Sequence, residues 1–131
     1  MQRVTGIGGI FLKARDPKAL GEWYRRHLGI DVQAWGGTAF PWREAAARSP
    51  NGATVWSLFP ESSDYFAPSE ARCMVNYCVE DLAAVLAALR AEGCAVDDRM
   101  EESEYGRFGW VMDPEGNRLE LWQPPAGPLP G

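Results

Sequence analysis

Apolar and polar positions along this chain change period twice, in the same order each time. From Val4 to Ala14 they alternate, with Ile7, Gly9, Phe11 and Lys13 on one side and Ile10, Leu12 and Ala14 on the other. That period of two predicts a strand. After Asp16-Pro17 the spacing becomes three and four. Leu20, Trp23, Tyr24, His27 and Leu28 then share a helical face. Asp16 is the N-cap, Pro17 suits the first helical position and Gly29 the C-cap. Ile30–Trp35 and Thr38–Arg43 read as two short strands around Gly36-Gly37, a hairpin turn. A polar loop follows, then a strand over Ala53–Phe59 that Pro60 stops.

The second half repeats the order. Cys73–Val79 reads as a strand, and Asp81 caps a helix through Leu82, Val85, Leu86 and Leu89 that Gly93 ends. Ala95 to Glu104 is extended and rich in charge. Phe108–Met112 and Arg118–Trp122 are strands around the turn Asp113-Pro114-Glu115-Gly116-Asn117. Proline presets the backbone of such a turn, and Gly and Asn tolerate positive φ where the chain reverses. In the last strand Arg118, Glu120 and Trp122 share one face and Leu119 and Leu121 the other. The prolines after Trp122 cannot continue a strand.

The interval from Asp16 to Pro60 equals that from Asp81 to Pro124 to within one residue, so one unit occurs twice. The unit is βαβββ. The predicted fold class is α+β: two βαβββ modules forming one curved mixed sheet around a cavity, with the helices on its outer face. Module 1 spans 4–60, a linker 61–71, module 2 72–124, and a proline-rich tail 125–131. Tyr65 and Phe66 mark the linker as a loop that packs.

The chain's 131 residues suit one domain. A net charge of −5 leaves no basic stripe to neutralise phosphates and argues against nucleic acid. No apolar run is long enough to span a membrane, and the first residues lack the pattern of an export signal. Three cysteines without a CxxC pair fit reduced thiols in the cytoplasm, and Cys73, Cys78 and Cys94 read as buried small apolar residues. His27 reads as packing at, or interacting with, its helix C-terminus. Six tryptophans exceed what a minimal core needs and suggest that several line a ligand cavity.

The paired units, the Trp23-Tyr24…Leu28-Gly29 run after Asp16, and the closing D-P-E-G-N-x-x-E-L-W-x-P together resemble the vicinal oxygen chelate superfamily over about Val4 to Pro124. That group includes glyoxalase I, extradiol dioxygenases, and fosfomycin- and bleomycin-resistance proteins. The resemblance implies a homodimer. It also implies four cavity-facing metal-ligand positions, on the first and last strand of each unit. They fall here on Gly9, Trp56, Met74 and Glu120. Glycine offers no donor, tryptophan is not a ligand, and a thioether suits hard divalent ions poorly. No metal or other cofactor is therefore expected.

Strand parity places Phe11, Trp56, Met74, Asn76, Arg118 and Trp122 as ligand-binding candidates, with Glu120 and Lys13 as the candidate catalytic pair. Two functions are open. One is a metal-independent small-molecule-binding protein of the bleomycin-resistance sort, taking an apolar or aromatic, and in some cases cationic, molecule. The other is a glyoxalase-like lyase or isomerase, or a dioxygenase-type enzyme, using Glu120 as base or metal ligand. Glu120 could also serve as a structural ion-pair partner of Lys13 or Arg118. A purely structural module explains an aromatic cavity poorly.

Overall fold

The computed structural model describes residue 1 and residues 3–131. In chain order the elements are α1 (Pro17–Leu28), α2 (Trp42–Arg48), β1 (Val75–Cys78), α3 (Leu82–Ala91), β2 (Ala95–Val96), β3 (Glu101–Ser103), β4 (Gly106–Met112) and β5 (Arg118–Gln123). The five strands form one mixed sheet. β5 runs parallel to β1 and antiparallel to β4, whose other side pairs with β2 and β3.

Both long helices start and stop for local reasons. The Asp16 carboxylate accepts from the Ala19 N–H at 3.0 Å, and that of Asp81 from the Ala84 N–H at 3.1 Å, each satisfying an orphan donor of the first turn. Gly29 (φ 66°) ends α1 and Gly93 (φ 81°) follows α3, both in the left-handed region where glycine pays no Cβ penalty.

Leu20 and Tyr24 of α1 and Leu82, Leu86 and Leu89 of α3 pack with Val111, Leu119 and Leu121 of the sheet into one core. Each such leucine withdrawn from water stabilises the fold by roughly 1.5–3 kcal/mol before entropy is counted. Gly109 lets α3 sit close, since a Cβ there would lie 2.9 Å from Leu86 Cδ1.

The closing turn fastens the first half to the second. Asp113 accepts from the N–H groups of Glu115 and Asn117, both at 2.9 Å, from the Asn117 side chain at 2.7 Å, and from the Tyr24 hydroxyl at 2.8 Å. Glu115 accepts from the N–H groups of Arg15 (2.6 Å) and Asp16 (3.1 Å). Burial above all, with Tyr77 and the Asp113 bond adding to it, pushes the Tyr24 phenol far up, so it stays a donor.

The first half departs from the predicted module. No strand forms over 4–14, 30–43 or 53–59, so the sheet has five strands and is not closed. Among the described residues no ladder is formed by these segments, although Leu12 lies near Val75 and Leu119, and residues 53–59 border the same cleft as β1 and β5. The apolar side chains that alternation assigned to the cavity face are instead exposed, Phe11 at 95% and Trp56 at 71%. Gly36-Gly37 does turn the chain, with the Gln33 N–H donating to the Gly37 carbonyl at 2.8 Å. Part of the second predicted hairpin strand is helical instead. Pro41 stands at the N-cap of α2, and Ala45-Ala46-Ala47 are strong helix formers. In the second half the extended stretch after Gly93 resolves into β2 and β3 on the two parts of β4.

The cysteines also differ from expectation. Cys73 and Cys78 are exposed and Cys94 is half-buried, because Cys78 lies on the sheet face away from the core and Cys73 precedes β1.

Candidate functional site

The face of the sheet opposite the helices opens into a cleft of about 1030 Å³. Alternation along β5 puts Leu119 and Leu121 in the core and Glu120 and Trp122 in the cleft. The parallel register sets Asn76 of β1 beside Glu120, and the antiparallel register sets Trp110 of β4 on its other side.

Glu120 is only 8% exposed, and its carboxylate is held by three donors. Asn76 Nδ2 donates to Oε1 at 2.8 Å, Trp110 Nε1 donates to Oε2 at 3.0 Å, and the Tyr65 hydroxyl makes a short bond to Oε2. An ionised carboxylate offers about four lone-pair sites. Three are used here, and the remaining one is on Oε1. Burial first, then the bond to Glu120, pushes the Tyr65 phenol well above its usual range. Tyr65 is thus protonated at neutral pH and acts as a donor.

Aromatic contacts hold this arrangement. The Tyr65 ring stacks on Phe59 (5.3 Å between centroids, 24°) and meets Trp110 edge-on at 6.2 Å. Phe66 packs against Phe59 at 5.2 Å. Below them Phe108 stacks on Trp122 (6.1 Å, 12°), whose Nε1 donates to the Tyr105 carbonyl at 2.8 Å. Gly106 allows that closure: it has φ 111°, and a Cβ there would lie 2.2 Å from the Gln123 carbonyl oxygen.

Of the residues singled out from sequence, Met74, Asn76, Glu120 and Trp122 line the cleft together; Phe11, Lys13, Trp56 and Arg118 do not. Lys13 is exposed, and no ion pair among the described residues joins it to Glu120. Arg118 is buried and pairs with Asp97 at 3.2 Å. Its guanidinium lies 5.2 Å from the Trp110 ring centroid, near enough for cation–π attraction. The Arg99 N–H bond and Arg118 together hold the Asp97 carboxyl below its ordinary range, against the opposing effect of burial.

Tyr65 and Trp110, which donate to Glu120, are the residues of this arrangement that parity alone missed. Tyr65 comes from a segment with no periodicity, where the pair Tyr65-Phe66 was the one available clue. Trp110 needed the β4–β5 register.

The four positions that would ligate a divalent metal in this superfamily do not fit one here. Gly9 supplies no donor, Trp56 is exposed to solvent and Met74 offers only a thioether. Glu120, with three of its acceptor sites engaged by neutral donors, is left as the one hard ligand of the four.

A mixed α+β fold with an open five-stranded sheet is consistent with the glyoxalase fold. Residues 9–122 match the glyoxalase-like domain, and the chain belongs to that family, within the vicinal oxygen chelate superfamily. Two solved structures are similar in fold. TnmS3, an antibiotic binding protein from Streptomyces sp. CB03234, has a TM-score of 0.59 and 19% identity, over 95% of this chain and 100% of its own. TioX from Micromonospora sp. ML1 has a TM-score of 0.51 and 17% identity, over 88% of this chain and 94% of its own. No curated protein matches the chain. No helix among the described residues is long and apolar enough to cross a membrane.

Proposed function

We propose that this protein binds a small aromatic molecule carrying a positive charge or a hydrogen-bond donor, without a metal, in the cleft above Glu120. The observation that carries the reading is the Glu120 carboxylate, fixed by Tyr65, Asn76 and Trp110 with one acceptor site left toward the cleft. A mostly apolar cavity with a few placed polar groups is the usual make-up of a small-molecule site. Phe59, Phe66 and Phe108 line the cleft with aromatic surface for a ring, and the acceptor sets its orientation. A carboxylate whose neighbours are all donors is built to hold a ligand rather than to cycle a proton. Lys13, the candidate acid for an enzymatic reading, stands outside the cleft. TnmS3, named for antibiotic binding, supports small-molecule binding on this fold.

The same reading has the protein working as a homodimer in the cytoplasm. Ile10, Phe11, Trp56 and Leu58 are exposed in segments with strand-like alternation and no ladder. Large exposed apolar side chains of this kind mark an interface, and a second copy carries the same unpaired segments. Exposed free thiols at Cys73 and Cys78 suit a reducing compartment.

Titration with proflavine, a planar aromatic cation, followed by tryptophan fluorescence tests the reading, because Trp110 and Trp122 flank the acceptor. Saturable quenching at one proflavine per chain is expected, with naphthalene sulfonate, an aromatic anion, binding at least tenfold more weakly. Equal binding of cation and anion would rule out a carboxylate-directed site.

A further inference from the structure

Helices α1 and α3 end against each other, and none of the residues at that junction lines the cleft. His27, in the last turn of α1, has Nδ1 2.8 Å from Glu92 Oε1. Glu92 caps the end of α3, and the left-handed Gly93 turns the chain so that Cys94 follows on the same side, its N–H donating to the Leu89 carbonyl at 2.9 Å. One ligand atom from each of His27, Glu92 and Cys94 lies within 4.8 Å of the others. The imidazole is already oriented. Its side chain is 12% exposed, and its ring packs 5.2 Å from that of Trp23.

Two features make this junction a place for a cation. The last carbonyls of a helix carry partial negative charge, and two helix ends converge here. Glu92 adds a carboxylate at the end of α3, where the macrodipole disfavours one. The Cys94 thiol has no hydrogen-bond partner among the described residues, so it is free to ligate.

We propose that His27, Glu92 and Cys94 bind one divalent transition-metal ion of the zinc type, with water completing the coordination. Imidazole, thiolate and carboxylate are the donor types zinc takes, and a sulfur ligand selects against magnesium and calcium. Binding replaces the proton of the Cys94 thiol, which passes to solvent. It also replaces the hydrogen bond between His27 Nδ1 and Glu92, the ring taking the tautomer protonated at Nε2 so that Nδ1 can ligate. The ion joins the end of α1, from the first half of the chain, to the end of α3, from the second. Its role is to clamp the two halves, independently of what the cleft binds.

The full chain, stripped with chelator and dialysed against zinc chloride, is expected to take up one zinc per chain and to melt at a higher temperature. Cobalt(II) in its place is expected to give a near-ultraviolet thiolate-to-cobalt charge-transfer band. Cys94→Ser should abolish the band, His27→Ala should weaken zinc binding at least tenfold, and Cys73→Ser should change neither. A wild-type chain that shows no cobalt–thiolate band, or a Cys94→Ser chain that binds zinc as tightly as wild type, would overturn the assignment and leave His27–Glu92 as an ion pair alone.

Discussion

Glu120 and Arg118 are two charged side chains one pleat apart on β5, and the structure uses them in opposite ways. Glu120 is surrounded by neutral donors and keeps an acceptor for the cleft. Arg118 is buried beside Trp110 and satisfied chiefly by Asp97, with its Nε lacking a partner among the described residues. Its role is to support Trp110 from behind, and through Trp110 the carboxylate. Removing Asp97 leaves a buried guanidinium short of its counter-charge. Asp97→Asn is therefore expected to cost roughly 1–3 kcal/mol at neutral pH, the range for a hydrogen bond to a charged group. The sign of the pH dependence follows from the lowered carboxyl. Asp97 stabilises the fold above the ordinary carboxylate value of 3.8, and that contribution fades as pH falls through the lower folded value. Urea unfolding of both proteins between neutral pH and pH 3 checks this. The gap between them should close on acidification, and a constant gap would mean that the pair carries no linked charge.

The β4–β5 hairpin is the element that organises the molecule. Its turn holds the start of α1 through Asp113 and Glu115, its inner face makes the core, and its outer face makes the cleft. Two glycines set its close approaches. Gly109→Ala presses a methyl against Leu86 and is expected to cost roughly 1–3 kcal/mol, since the leucine can give way. Gly106→Ala meets a backbone carbonyl that cannot, in a backbone conformation already unfavourable for alanine, and is expected to cost more. Thermal melts of the two variants test the order, and equal losses would contradict it.

The hairpin was also the part most legible in the sequence. Turn residues, alternation and caps are local, so Asp16, Gly29, Asp81, Gly93 and the 113–117 turn were placed correctly, as was the division of β5 into Leu119 and Leu121 against Glu120 and Trp122. The first-half strands were not, because alternation records which side chains favour burial and says nothing of what will bury them. Phe11 and Trp56 have a strand's spacing without a strand's partner. For the same reason parity put Lys13 into the cleft. Arg118 does lie on a paired strand, but its side chain is held by Asp97 instead. Tyr65 arrives from a loop whose packing depends on nearby Phe59 and on Trp110, distant in sequence.

For the molecule as a whole, the exposed apolar segments of the first half argue for a second copy. Light scattering coupled to size exclusion is expected to give twice the 14.5 kDa of one chain. Lysine substitution at Phe11 and Trp56, both exposed and outside the cleft, should shift the protein toward monomer, whereas a wild-type monomer at micromolar concentration would contradict the dimer. The cleft makes the more consequential demand. If Glu120 is the anchor, calorimetric titration of proflavine should show binding to wild type weakened at least tenfold in Glu120→Gln, the loss of about 1.4 kcal/mol or more that a charge-assisted contact carries. Tyr65→Phe, which keeps the ring but removes one donor, should weaken it less. Equal proflavine affinity in wild type and Glu120→Gln, with both chains folded, would show that the carboxylate does not hold the ligand.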